Sequence, residues 1–284
     1  MTEGDALQYR RREVIGDCVL YLADAAQLLP HLGPVDHCIT DPPYGVDVYL
    51  RMRSPDSAGG NRKHKIKGGD SLTAMKKGAI GNLGQLYNPI AQFCSSQVRR
   101  WSLVFSDVES CDLWRDALIE QNLRYVRTGA WIKRDVMPQM TGDRPGVGFE
   151  PFTTVHRKGG RMRWNGGGKP AIYDYPIVKG KNRPDHPCPK PLGLMKELVK
   201  DFTDKHDTVI DPFMGSGTTG LACLISGRKF IGIELEEGWF NTSVDRLRAA
   251  NGMPLQQDPE QINLFAPPSA NCQPPDPALP STPN

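Results

Sequence analysis

Apolar residues alternate along this chain between two periods. Short runs that read as strands occupy 13–17, 35–41, 101–107, 124–133, 150–157, 207–213 and 229–235. Between them, apolar positions at helical spacing predict helices over 19–29, 85–99, 109–121, 190–203, 217–226 and 237–251. Strands alternating with helices predict a parallel sheet covered on both faces. The adjacent runs 124–133 and 150–157 break that alternation and are expected to pair antiparallel. Ligands in such sheets sit outside the C-terminal ends of the strands. Asp41, Asp211 and Glu234 all fall at predicted C-terminal ends. No run approaches 18 apolar residues, so no membrane span is expected.

The run ending at Thr40 is followed by Asp41-Pro42-Pro43-Tyr44-Gly45. Two prolines fix the backbone and remove two N–H donors, which makes the turn rigid. Asp41, when ionised, offers only acceptors, and the Pro42 carbonyl is a second acceptor nearby. Tyr44 adds an aromatic face for stacking. Together these suit a flat ring carrying an amine with two N–H donors. Taken alone, the tetrapeptide fits a strand-ending turn equally well.

A second signal lies 170 residues on. The run to Ile210 continues as Asp211-Pro212-Phe213-Met214-Gly215-Ser216-Gly217-Thr218-Thr219-Gly220, then a small-residue helix closed by Gly227, then a strand from Phe230 that ends near Glu234. The glycines allow close approach of backbone to a ligand, and a helix N-terminus presents free N–H groups to an anion. A carboxylate on the next strand suits the paired hydroxyls of a ribose. The pattern also satisfies G-x-G-x-x-G with an acid about 20 residues later, which accommodates a nicotinamide dinucleotide or another adenosine cofactor. It is not a phosphate-cradling loop of the G-x-x-x-x-G-K-[ST] kind, because no lysine follows Gly217 or Gly220.

The two motifs together, D-P-P-Y early and D-P-F-x-G-S-G-T-T late, resemble the β-group of S-adenosylmethionine-dependent DNA amino-methyltransferases, which modify adenine N6 or cytosine N4. The resemblance covers roughly residues 13–250. Gly16-Asp17-Cys18 looks like the family's Gly-Asp element. His186-Pro187-Cys188-Pro189-Lys190-Pro191 is similar to its His-Pro-x-x-Lys-Pro element. Trp131-Ile132-Lys133 and Phe149-Glu150-Pro151 resemble the strands between. The resemblance implies an α/β, Rossmann-like fold with a seven-stranded, mostly parallel sheet, helices on both faces and one reversed strand. It implies catalytic roles for Asp41, Pro42, Pro43 and Tyr44. It places Asp211, Phe213, Gly215, Ser216, Gly217 and Thr218 around the methionine half of S-adenosylmethionine. Glu234 is expected on the ribose, Asp17 near the adenine and Lys190 near the methionine carboxylate. No metal is implied.

The net charge of +3 hides an uneven distribution. Segment 47–84 holds eight Lys/Arg against three acids, a net +5, and segment 157–183 holds eight against Asp174, a net +7. These 12 charges against a total of +3 leave about −9 on the remainder of the chain. Two basic, glycine-rich segments are the footprint of phosphate-backbone binding. Arg62, Lys63, Lys65, Lys67, Arg161, Arg163, Lys179 and Lys181 are the candidate DNA contacts, in loops 47–84 and 157–185. The seven cysteines are odd in number and form no C-x-x-C pair, so they are expected to be reduced thiols of a cytoplasmic protein; the family resemblance implies that it is bacterial or phage-encoded.

Residues 1–252 are expected to form the catalytic domain, and the proline-rich, nearly uncharged segment 253–284 a disordered tail. Within it, Gln261, Leu264 and Phe265 form a Q-x-x-L-F pattern similar to peptides that dock on bacterial sliding clamps. The expected partners are therefore double-stranded DNA, a clamp through that peptide, and a second copy of the chain. The leading reading is site-specific methylation of adenine N6, as in restriction-modification systems. The alternatives are methylation of cytosine N4, RNA or a glutamine amide, a nicotinamide-dependent oxidoreductase, and a non-catalytic nucleotide-binding regulator.

Overall fold

A computed structural model of the chain describes residues 9–43, 83–136, 142–143, 145–179 and 189–252. The expected tail, residues 47–82 of the first basic segment, Tyr44 and Lys181 lie outside the described residues.

The described strands are β1 (Arg11–Ile15), β2 (Cys18–Leu22), β3 (His37–Thr40), β4 (Trp101–Phe105), β5 (Arg124–Ile132), β6 (Phe149–His156), β7 (Ile172–Asp174), β8 (Thr208–Asp211) and β9 (Lys229–Glu234). The helices are α1 (Ala25–Leu28), α2 (Leu83–Gln97), α3 (Cys111–Glu120), α4 (Leu192–Phe202), α5 (Thr218–Ile225) and α6 (Glu237–Asn251). One sheet runs in the order β1-β2-β9-β8-β3-β4-β6-β5-β7. Its centre, β2-β9-β8-β3-β4, is parallel. β6 is antiparallel to both β4 and β5, as the missing helix predicted.

Alternation along each strand sends side chains to two separate cores. Ile39, Leu103, Val209 and Phe230 pack with Leu198 of α4, Cys223 of α5 and Leu247 of α6. Their neighbours Cys38, Val104 and Ile210 pack on the other face with Leu28 of α1, Cys94 of α2 and Leu118 of α3. The result is a sheet between two helical layers. The buried cysteines Cys18, Cys38, Cys94 and Cys223 and the partly exposed Cys111 are unbridged.

Two expectations are corrected. The sheet has nine strands among the described residues instead of seven, and β1 as well as β6 is reversed. The extra strands are β2 and the three-residue β7. Residues 19–29 were expected to be one helix, but the first part is β2 and only Ala25–Leu28 is α-helical. Val19-Leu20-Tyr21-Leu22 fits either period, and a short apolar run does not separate helix from strand. Pairing with β9 decides it: Cys18, Leu20 and Leu22 are buried while Val19 and Tyr21 are half-buried.

Gly220 sets how closely α5 approaches the sheet. A Cβ there would stand 2.6 Å from the Phe230 ring and 3.3 Å from Leu247. Alanine would gain about 0.8–1 kcal/mol of helix propensity, but overpacking a filled core costs about 1–3 kcal/mol. Gly220→Ala is therefore expected to destabilise the fold by about 1 kcal/mol or more, read as a lower urea midpoint with an unchanged slope.

Candidate functional site

The chain leaves β3 toward β4 on one side and leaves β8 toward β9 on the other. The switch between adjacent β3 and β8 opens a crevice at their C-terminal ends, where open α/β sheets bind ligands. Thr40, the last residue of β3, donates its hydroxyl to Asp211 Oδ1 at 2.7 Å, across the switch. The Thr219 hydroxyl donates to Asp211 Oδ2 at 2.7 Å and the Phe213 N–H to Oδ1 at 3.1 Å. Burial raises the pKa of Asp211 to about 6, against the pull of these three donors.

The turn after β8 is left-handed at Gly215 (φ 52°) and at Gly217 (φ 77°). Gly217 is the N-cap of α5, and no side chain caps it. The first-turn N–H groups of α5 therefore keep their capacity for an anion. The Gly215 N–H donates to Glu234 Oε2 at 2.9 Å and the Glu236 N–H to Oε1 at 2.8 Å. Each Glu234 oxygen retains capacity for a further donor. Burial pushes the Glu234 pKa up to about 6.

Helix α6 supports this loop from below. Ser243 Oγ donates to the Gly215 carbonyl at 2.6 Å. The Arg246 guanidinium donates to the Ser216 carbonyl, to Ser216 Oγ at 3.1 Å and to Thr218 Oγ1 at 3.2 Å. Burial lowers the Arg246 pKa to about 10, which leaves it charged at neutral pH.

The strongest charges cluster around Asp41, directly after β3. Lys190 Nζ lies 2.5 Å from Asp41 Oδ2 and 2.5 Å from Glu150 Oε1. Lys133 Nζ lies 2.8 Å from Glu150 Oε2. Because β6 runs antiparallel to β4, its second residue, Glu150, reaches the same edge as Asp41. Lys190 also stands 4.9 Å from the centre of the Phe105 ring and 5.9 Å from that of Trp131, within cation–π range. Burial would raise the Glu150 pKa, but Lys190 and Lys133 outweigh it and hold the carboxyl down at about 2. For Lys190, burial would lower the pKa, and Asp41 and Glu150 outweigh it and raise it.

The structure brings together Asp41, Pro42, Pro43, Lys190, Asp211, Phe213, Gly215, Ser216, Gly217, Thr218 and Glu234 at one edge of the sheet. Lys190, expected beside a cofactor carboxylate, stands at this edge with its ammonium against Asp41 and Glu150. Asp17 is not at this edge. It lies in the β1–β2 turn, where its carbonyl accepts the Phe230 N–H at the start of β9. Cys18 pairs with Phe230 and Leu22 with Glu234, so β2 runs about 13 Å to the site edge at about 3.3 Å per residue, and Asp17 precedes its far end. The acid that does follow β2 there is Asp24. It caps α1 through the Ala26 N–H at 2.9 Å, and the adjacent Ala23 N–H donates to the Glu234 carbonyl.

The candidate DNA contacts divide as well. β6 runs away from the site, so the loop after His156 emerges at the opposite edge. Arg163 there pairs with Asp204 at 3.1 Å, and its carbonyl accepts the Trp101 indole N–H at the start of β4. Arg161 is exposed in the same loop. Lys179 lies on the site edge and pairs with Asp135, beyond the end of β5, at 2.7 Å. Arg62, Lys63, Lys65, Lys67, Lys181, Gln261, Leu264 and Phe265 lie outside the described residues. Sequence reasoning missed Asp24, Arg246 and the pairing of Glu150 with Lys190. The available signal for Glu150 was a lone acid in an otherwise uncharged strand.

This edge can accept paired hydroxyls at Glu234, an anionic group at the first turn of α5 and an amine at Asp41. The sequence profile of the DNA methylase family of N6/N4 type matches residues 104–245. The chain belongs to this family. It is similar to the DNA adenine methyltransferase YhdJ of Escherichia coli K12, at 38% identity over 82 residues, 28% of either chain. It is also similar to the type II methyltransferase M.HinfI of Haemophilus influenzae, at 26% over 182 residues, 55% of this chain and 47% of that protein. The chain thus spans less than half the length of these curated relatives. Among solved structures, an M1.HpyAVI–SAM complex superposes with a TM-score of 0.60 at 27% identity, covering 81% of this chain and 99% of that one. The cytosine-N4-specific PvuII DNA methyltransferase superposes with a TM-score of 0.60 at 12% identity, covering 89% and 93%, which shows the shared fold.

The depressed Glu150 pKa makes a prediction about stability. The contribution of this carboxylate is complete above its ordinary value of 4.5 and is lost as pH falls through about 2. Glu150→Gln leaves two lysines facing a neutral amide. It is expected to be less stable than the parent at pH 7 and to lose less stability on acidification below pH 4.5. Urea midpoints at pH 7, 4.5 and 3 check this.

Proposed function

We propose that this methylase uses S-adenosylmethionine to methylate the N6 amine of an adenine flipped out of double-stranded DNA. The observation that carries the reading is the placement of Asp41 and Asp211 on adjacent strand ends at the switch point, with the Thr40 hydroxyl joining them. An amine acceptor and an adenosine-cofactor edge then face one crevice. The identity with YhdJ supports adenine as the base, as does an aspartate at position 41.

S-adenosylmethionine supplies a methyl group on a positively charged sulfur. The residues of this chain fit its parts by donor chemistry. The Glu234 carboxylate accepts the two ribose hydroxyls. The first-turn N–H groups of α5, at Thr218 and beyond, receive the carboxylate of the methionine end. Asp211, Phe213, Gly215, Ser216 and Gly217 line the methionine half, and Asp24 replaces Asp17 as the acid on the adenine side. At the substrate, Asp41 and the Pro42 carbonyl each accept a hydrogen bond from one N6–H, and Tyr44 stacks on the extruded ring. These acceptors orient the nitrogen lone pair along the line of transfer. They also stabilise the positive charge that grows on N6, an effect larger in the transition state than in the ground state. Extruding the base costs a few kcal/mol, which contacts in the pocket offset.

Incubating the protein with labelled S-adenosylmethionine and DNA free of amino-methylated bases, then digesting to nucleosides, is expected to yield N6-methyldeoxyadenosine. N4-methyldeoxycytidine in its place would move the assignment to cytosine, and label in neither base would end the reading. Asp41→Ala is expected to lower transfer by about 100-fold or more, with cofactor affinity retained.

The carboxylates at the cofactor edge have pKa values of about 6, so they are ionised above that pH and neutral below it. Cofactor affinity is therefore expected to rise between pH 5 and 7 and to level off above. Glu234→Gln should weaken binding about 10- to 100-fold at pH 7.5, the worth of a charge-assisted pair of hydrogen bonds, and should reduce the pH dependence. Calorimetry across that range reads both effects.

A further inference from the structure

We infer that Glu150 is a positioning residue for methyl transfer: it shares the Lys190 ammonium with Asp41 and so keeps Asp41 available as an acceptor for the substrate amine. The inference rests on the reading of Asp41 given above.

The geometry carries the argument. A single ammonium lies 2.5 Å from each of two carboxylates that come from different parts of the sheet. Lys190 has three N–H donors, and it is held in place from three sides. Asp41 lies on one side, Glu150 on another, and the Phe105 and Trp131 rings lie beneath. Glu150 is in turn fixed by Lys133 at 2.8 Å, whose own ammonium lies 4.8 Å from the centre of the Trp131 ring. Lys133, Glu150, Lys190 and Asp41 thus form a chain of alternating charge that sums to zero along the site edge. Glu150 is buried, with 6% of its surface exposed, so its charge is felt at short range with little screening.

Removing Glu150 would take from Lys190 one of the two carboxylates at 2.5 Å. A buried ammonium then draws more strongly on Asp41 and takes acceptor strength from the oxygen pair that the amine requires. A carboxylate whose charge is consumed by a fixed cation stabilises the growing charge on N6 less well. Glu150 is engaged by Lys133 and Lys190. Its effect passes through Lys190, so it should appear in the rate of transfer and leave cofactor affinity unchanged.

The experiment is a double-mutant cycle on the full chain, with tritiated S-adenosylmethionine and genomic DNA free of amino-methylated bases, at a temperature below every variant's melting point. Glu150→Gln is expected to lower kcat at least tenfold while the cofactor Kd and the KM for DNA stay within threefold. In a Lys190→Met background the same change should cost less than threefold, because the cation it restrains is gone. Lys133→Met, which leaves Glu150 and Lys190 in place, should keep kcat within threefold. A Glu150→Gln kcat within twofold of the parent overturns the inference. So does an equal cost in both backgrounds, or a loss in Lys133→Met as large as in Glu150→Gln, since each marks the cluster as structural support alone. A parent protein that methylates no DNA refutes the functional reading itself, which separates the two failures.

Discussion

The hydrogen bond from Thr40 to Asp211 is the contact on which the site depends. It joins the last residues of β3 and β8, the two strands from which the chain departs in opposite directions. The substrate-side turn and the cofactor-side loop are each reached from one of these ends. Asp41 and Pro42 follow Thr40 directly. The glycine turn, α5 and the β9 carboxylate follow Asp211. Asp211 is buried, and burial pushes its pKa up to about 6. Donors from Thr40, Thr219 and Phe213 are what sustain its charge at neutral pH. Ionised Asp211 thereby ties the strand that leads into Asp41 to the glycine turn before α5.

The same residue types do different work at the two edges of the sheet. At the far edge, Arg100 bridges Asp204 and Asp207, His37 contacts Asp207, and Arg228 closes the Thr203 and Ser226 carbonyls. These groups fasten the loop before β8 to the starts of β3 and β4. Burial lowers the pKa of His37, so it favours a neutral ring there. At the site edge, carboxylates are either left able to take further donors, as at Glu234, or held in an alternating chain with lysines, as at Glu150. A buried ion pair repays its desolvation only when geometry is good on both sides. The Glu150 carboxyl, with one lysine on each oxygen, meets that condition.

Much of this was legible in the chain. Strand ends at Asp41, Asp211 and Glu234 could be read from apolar runs followed by turn residues, and the antiparallel pair from a missing helix. The glycine turn was legible because Gly215 and Gly217 adopt left-handed backbone, which a side chain disfavours. The segment after Ile15 was not legible. Its apolar positions satisfy a helix as well as a strand, and only the partner strand β9 decides. That ambiguity left Asp17, the acid expected on the adenine side, at the opposite edge and hid Asp24 at the end of β2. Arg246 was hidden for another reason. It is one of several charges on α6, and only the packing of that helix under the loop makes it a donor to Ser216 and Thr218.

The reversal of β6 sets both where the basic loop after it begins and how Glu150 reaches the site. In a parallel sheet, the loop after each strand emerges at the site edge, so a basic loop after the 150–157 run belongs beside the substrate. Because β6 is antiparallel, that loop and its Arg163 emerge at the far edge, where Arg163 pairs with Asp204. The same reversal brings the start of β6 to the site, and with it Glu150. An acid there faces Lys190 and Lys133 across a short gap, at the end of β5 and the approach to α4. Strand direction thus puts a buried acid, in place of a basic loop, beside Asp41. A carboxylate fixed within a strand is positioned more precisely than one on a loop, which is what control of the charge beside Asp41 requires.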